Sequence, residues 1–237
     1  MARNCTAEYV TVETSDGAKL NARIFIPNKR DEDNEVEEEI ENNKKDMAIV
    51  LVHPYSILGG CQGLLKGIAI GLANEGFKAV TFDMRGVGRS TGRSSLFGSA
   101  EIVDVVSVCR WVSQNLSVSK ILLVGSSAGA PIAGSAVDQV EQIVGYVSIG
   151  YPFGLLASIL FGRHQKAILQ SPKPKLFIMG TRDGFTSVKQ LKNKLSSAAG
   201  RVETHLIEGI GHFQLETPAY DYQMVDLILE FIKSSDQ

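Results

Sequence analysis

Ser127 stands at the centre of Gly125-Ser126-Ser127-Ala128-Gly129. A serine hydroxyl becomes a useful nucleophile only when a base takes its proton and the backbone lifts it clear of its neighbours. The flanking sequence offers that backbone. Lys120-Ile121-Leu122-Leu123-Val124 reads as a short buried strand, and Ala130-Pro131-Ile132-Ala133-Gly134-Ser135-Ala136-Val137 as a helix of small residues. A strand turning sharply into a helix at Ser127 crowds the chain, which is why glycines stand two before and two after it. The helix N-terminus then directs its free N–H groups and its dipole at the place where an oxyanion would form.

An acylating serine also needs a base and an acid to orient that base. Where a strand–serine–helix turn is used, these follow in the order Ser, Asp or Glu, His. The segment Leu176-Phe177-Ile178-Met179-Gly180-Thr181-Arg182-Asp183-Gly184 is a strand running into a polar loop, with Asp183 as the acid. Glu203-Thr204-His205-Leu206-Ile207-Glu208-Gly209-Ile210-Gly211-His212-Phe213 is another strand and loop, with His212 as the base. Both candidates sit just past the carboxyl end of a strand, where open α/β sheets place their ligands. The competing side chains are less well placed. His205 falls inside a strand, His164 in a later apolar segment, His53 at a strand end where it shapes a loop, and Glu208 is the rival acid.

With these motifs in order, the chain resembles the α/β-hydrolase superfamily from about residue 8 to about residue 233. Gly180-Thr181-Arg182-Asp183-Gly184 is similar to that family's acid loop, and Gly209-Ile210-Gly211-His212-Phe213 to its histidine loop. Asp83-Met84-Arg85-Gly86-Val87-Gly88-Arg89-Ser90 is similar to its turn after the fourth strand, and His53-Pro54-Tyr55 to its oxyanion loop. The resemblance implies an α/β-hydrolase fold, with a mostly parallel eight-stranded sheet and helices on both faces, across a single domain of residues 1–237. It implies a small, cap-poor esterase-like enzyme using Ser127, His212 and Asp183, with oxyanion donors on Ala128 and in the loop at 53–55. This sequence departs from the family's His-Gly pattern at Pro54. Proline has no N–H, so the second donor falls to Tyr55.

The elements that must position these residues are legible as alternating patterns. Strand signals cover 9–13, 20–26, 48–53, 79–83, 121–124, 144–149, 176–180 and 202–207. The first two alternate polar and apolar residues as a half-exposed hairpin does, and the later ones are almost wholly apolar, as strands covered on both faces are. Helical patterns over 63–75, 100–115, 128–140, 187–199 and 220–234 separate the later strands. Such alternation implies a parallel sheet between two helical layers. Residues 153–172 fill the interval where many relatives carry a large cap. They are expected to form a short flap, either a core helix on the sheet or an apolar contact for substrate.

Residues 29–46 hold nine acids and four bases, a net −5 against −2 for the whole chain. A stretch so charged cannot bury a core face, so a flexible surface loop is expected, with docking of a basic partner as the alternative. The near-neutral total gives no basic face for nucleic acid. Three cysteines (Cys5, Cys61, Cys109) in no disulfide or metal spacing point to a reducing, cytoplasmic setting. Gly86-Val87-Gly88 invites a dinucleotide reading, but Gly92 falls one position late and no helix pattern opens there. No cofactor, metal, leader or membrane span is expected. Two functions remain: a serine hydrolase acting on esters or thioesters of small to medium acyl size, with a peptidase variant, and a slow or inactive relative serving as ligand receptor or interaction protein.

Overall fold

A computed structural model describes residues 4–28 and 44–235. Most of the acidic stretch expected as a loop, 29–43, lies outside them. Among the described residues, β1 (Cys5–Glu13), β2 (Lys19–Pro27), β3 (Met47–Val52), β4 (Lys78–Phe82), β5 (Lys120–Ser126), β6 (Ile143–Ile149), β7 (Lys175–Gly180) and β8 (Val202–Ile207) form one sheet in the order β1-β2-β4-β3-β5-β6-β7-β8. β2 pairs antiparallel with both its neighbours and the remaining pairs are parallel. β5, the strand that leads to Ser127, lies in the middle.

The apolar runs of the central strands follow from burial on both faces. In β3, Ala48, Val50 and Val52 join one core while Ile49 and Leu51 join the other, as a side-chain period of two requires. The first core packs against α2 (Ser99–Asn115), α3 (Gly129–Ala136), α4 (Leu155–Gln170) and α5 (Val188–Leu195), the second against α1 (Lys66–Asn74) and α6 (Asp221–Ser235).

Several boundaries differ from the sequence reading. β1 begins at Cys5, four residues early, because it pairs with β2 along its whole length out to Pro27. The pattern over 63–75 divides into a 3-10 turn at Gln62–Leu65 and α1. α3 is short, passing into a 3-10 turn at Val137–Gln139. α5 starts at Val188 because Ser187 caps it, accepting from the Gln190 amide while the Gln190 side chain accepts from the Ser187 amide. Residues 155–170, inside the expected flap, form α4. Phe161, His164, Gln165 and Ile168 are buried, and Gly134 lets α4 approach α3 because a Cβ there would meet Ile168 at 3.0 Å. From Phe161 to Ile168 the interval packs as the core-helix alternative describes.

The turn after β4 is a tether. Arg85 sends its backbone N–H, Nε and Nη2 to the Asp104 carboxylate of α2 at 2.8, 2.9 and 2.7 Å, and bonds Asp16 of the β1–β2 turn through Nη1 and Nη2. Asp104 is wholly buried, whereas the Asp16 side chain is 48% exposed. Removing Asp104 leaves the buried Arg85 backbone N–H and Nε without an acceptor and its charge with only the solvated partner, which costs about 3–5 kcal/mol. Asp104→Ala is therefore expected to lower unfolding stability by that amount in a urea titration. Asp16→Ala, at the solvated end, should cost about 1 kcal/mol or less. Equal losses would contradict this division.

Candidate active site

At the end of β5 the chain enters the left-handed region at Ser127, with φ of 49°. Few residues other than glycine adopt that conformation, and two hydrogen bonds hold it. The Ser127 N–H donates to the Ile149 carbonyl at the end of β6 at 2.8 Å, and its carbonyl accepts from the Ala130 N–H at 3.0 Å. The flanking glycines remove the clashes: a Cβ on Gly125 would stand 2.6 Å from Ala130 Cα, and one on Gly129 would stand 2.0 Å from the His53 carbonyl oxygen. The crowding that the motif implies is thus present on both sides of the serine.

The loops after β7 and β8 are laced to each other by backbone. Thr181 N–H donates to the Ile207 carbonyl and Arg182 N–H to the Ile210 carbonyl, each at 2.9 Å, and Gly209 N–H donates to Thr181 Oγ1. Gly180 permits this approach, since a Cβ there would lie 2.1 Å from the Ile210 oxygen. The result is one line of hydrogen bonds: Ser127 Oγ to His212 Nε2 at 2.6 Å, and His212 Nδ1 to Asp183 Oδ2 at 2.6 Å. A carboxylate oxygen only accepts, so Nδ1 carries the proton and Nε2 is the acceptor facing the serine hydroxyl. The other Asp183 oxygen accepts from the Phe185 and Thr186 amides at 2.7 and 3.0 Å, which fixes the carboxylate from behind. The imidazole is buried, with Gly150 against its Cε1 and the exposed rings of Phe185 and Phe213 edge-on to it at 4.6 and 5.4 Å.

The loop after β3 closes on itself at Gly60, where a Cβ would collide with the Pro54 carbonyl. Tyr55 is buried against Phe161 of α4, at 5.7 Å between rings, so its side chain anchors the loop. Ala128 stands at the N-terminus of α3, whose first amides have no partner inside the helix. Ser127's own N–H is already committed to β6, which leaves Ala128 as the amide next to the hydroxyl.

The remaining candidates serve other ends. His164 Nδ1 lies 2.8 Å from Ser135 Oγ and its Nε2 2.7 Å from the Phe97 carbonyl, joining α4 to α3 and to the loop after β4. His205 stays within β8. Cys61 and Cys109 are free thiols, and burial pushes the Cys109 thiol up to about 12. Gly88 closes the turn after β4 on Asp83, where a Cβ would lie 2.6 Å from Oδ2, and no helix starts there. Glu216 was missed by the sequence reading. It ends the 3-10 turn His212–Glu216, and its Oε1 lies 3.4 Å from Ser126 Oγ. The available signal was an acid one helical turn beyond the histidine.

Comparison with known proteins places this geometry in context. The family described as alpha/beta hydrolase fold matches residues 57–165. An uncharacterized protein of Rickettsia prowazekii (strain Madrid E) is 28% identical over 148 residues, 60% of each chain. An uncharacterized 31.7 kDa protein from the traX-finO intergenic region of Escherichia coli is 32% identical over 111 residues, 46% of this chain and 38% of that one. The match thus spans less than two thirds of these relatives' length. Among solved structures, an alpha-beta serine hydrolase homologue from Coxiella burnetii has a TM-score of 0.72 at 24% identity, covering 92% of this chain and 95% of its own. A Xanthomonas campestris protein described as a serine hydrolase without lid gives 0.75 at 20% identity, over 96% and 94%. Esterase Pf2001 of Pyrococcus furiosus gives 0.73 at 20% identity, over 97% and 93%. At these identities the likeness is one of fold.

His53 yields a test of the site's frame. It is wholly buried, its Nε2 accepts from the Met84 N–H at 3.0 Å, and its Nδ1 therefore donates to the Pro54 carbonyl at 2.6 Å. Burial pushes its pKa below the ordinary value of 6.5, against the pull of the Pro54 carbonyl and of Asp83. The unfolded chain thus binds a proton that the folded chain refuses, so stability falls as pH drops below about 6.5, by at most about 1.4 kcal/mol per pH unit for this group. NMR titration should show His53 neutral and protonated on Nδ1 at pH 6. A His53 signal midpoint at or above 6.5 would contradict this arrangement.

Proposed function

We propose that this chain, a member of the α/β-hydrolase superfamily, is a serine hydrolase that cleaves carboxylic esters or thioesters of small to medium acyl size through an acyl-enzyme on Ser127. The observation that carries the reading is the continuous line from Ser127 Oγ through His212 to Asp183, with both links at 2.6 Å. As Oγ attacks the acyl carbon, His212 Nε2 takes its proton, and Asp183 stabilises the imidazolium while keeping it in one orientation. The carbonyl oxygen becomes an oxyanion received by the N–H groups of Ala128 and Tyr55. His212 then protonates the departing alcohol or thiol. Water, deprotonated by the same nitrogen, attacks the acyl-enzyme and releases the acid. Amide substrates would follow the same steps with an amine leaving.

The acyl preference rests on the rim. Ile57, Leu58, Phe97, Ile159, Phe185 and Phe213 are exposed apolar side chains on segments that follow β3, β4, β6, β7 and β8. All of these segments leave the carboxyl edge of the sheet, where Ser127 lies, and apolar surface there favours acyl chains over highly polar substrates. The free thiols of Cys61 and Cys109 fit the cytoplasmic setting included in this reading.

A fluorophosphonate probe tests the proposal. The folded wild type should be labelled, and Ser127→Ala should abolish labelling and reduce ester hydrolysis by about 10³-fold or more. Labelling that persists in Ser127→Ala, or its absence in folded wild type, would refute it.

A further inference from the structure

The acyl-transfer steps leave one side chain at the site without a task. Glu216 shares the turn His212–Glu216 with the base, is partly buried, and directs its carboxylate at the nucleophile's own segment. Its Oε1 is 3.4 Å from the Oγ of Ser126, the residue next to the nucleophile. Among the described residues, the ion pairs formed by lysine and arginine go elsewhere: Arg85 to Asp16 and Asp104, and Arg201 to Glu203. Burial pushes the Glu216 carboxyl above its ordinary range, against the pull of His212 and the two serine hydroxyls. Among the described residues a partly dehydrated carboxyl group thus lies against the nucleophile's segment with no lysine or arginine ion-paired to it, an arrangement that favours the arrival of a positive charge.

The surroundings suit such a charge. Phe185 and Phe213 flank the His212 ring and meet each other at 5.6 Å and 90°, both exposed. Aromatic rings attract ammonium groups through their faces, and a carboxylate supplies the full countercharge. The rings flank the imidazole that must deliver a proton to the leaving oxygen, and the carboxylate stands on the same turn.

We propose that Glu216 is a specificity-determining residue that receives a cationic group, a primary or quaternary ammonium, carried on the alcohol side of the scissile ester, with the Phe185 and Phe213 rings beside it. The proposal rests on the acyl-transfer reading and adds the charge of the preferred substrate. The reaction is unchanged: the ester C–O bond breaks, the alcohol takes its proton from His212, and water completes the acid. An ester with an anionic alcohol portion meets repulsion at the same place.

The test compares butyrylcholine with its uncharged isostere, 3,3-dimethylbutyl butyrate, followed by acid release at fixed pH. The ratio of the two kcat/KM values within one variant is the readout, so a general loss of activity cancels. In the wild type the ratio should favour the cation by about tenfold, the sum of a partly buried ion pair and a cation–π contact. Glu216→Gln should bring the ratio to within about threefold of unity, a residual that matches a cation–π contact alone. Glu216→Asp, which keeps the charge, should retain a preference for the cation. A wild type that does not favour the choline ester overturns the proposal, as does a ratio unchanged by Glu216→Gln. Fluorophosphonate labelling of wild type separates the two levels: labelling without charge preference defeats the role of Glu216 alone, whereas no labelling defeats the acyl-transfer reading and this proposal with it.

Discussion

The left-handed backbone of Ser127 is the constraint on which the rest of the site depends. Holding a serine at φ of 49° costs on the order of 1–3 kcal/mol, and it persists because the surroundings over-determine it. β5 is hydrogen-bonded on both sides, to β3 and to β6, and its side chains are buried in both cores. The chain therefore arrives at Ser127 with no freedom to relax backwards. Forwards, α3 begins within two residues and is pinned by Gly129 against the His53 carbonyl. Between those anchors the backbone has one way to turn, and that turn lifts the hydroxyl toward His212.

The same contacts couple the site's loops. Gly129 on His53 fixes the distance between the nucleophile turn and the loop after β3, and neutral His53 carries the restraint on to Met84 of the turn after β4. Thr186 does likewise on the other side, accepting from the Phe153 amide and donating to the Tyr151 carbonyl, so that the Asp183 loop is held to the end of β6. Asp183 is held by amides and His212 is wedged by Gly150. The positioning is thus mostly done by backbone groups and glycines. Such an arrangement keeps a constellation rigid with little dependence on flexible side chains.

How much of this is legible in the sequence follows from where the constraints lie. Ser127, Asp183 and His212 can be read because each combines a chemically demanded residue type with an apolar strand before it and a glycine within two residues. The expected eight-stranded, mostly parallel sheet also follows from local patterns, since strands covered on both faces leave unbroken apolar runs. Other features have no local signature. Glu216 is one acid among many until the turn His212–Glu216 brings it to Ser126. Arg85 is recognisable within its turn, but its partners Asp16 and Asp104 are 69 and 19 residues away. The short flap expected over 153–172 contains α4 because the buried faces of Phe161 and Ile168 need α3 beneath them, and a small-residue helix surface with Gly134 supplies it. Pairing across space decides these features, and periodicity within a segment does not report it.

The central claim is that Ser127 attacks an acyl carbon whose oxygen is received by two backbone amides. The most direct measurement is a crystal structure of the protein after reaction with a small alkyl fluorophosphonate. The account predicts phosphorus bonded to Ser127 Oγ, with the phosphonyl oxygen about 2.7–3.1 Å from both the Ala128 and Tyr55 nitrogens. An adduct whose oxygen points to solvent, or one bonded to any other side chain, would contradict it.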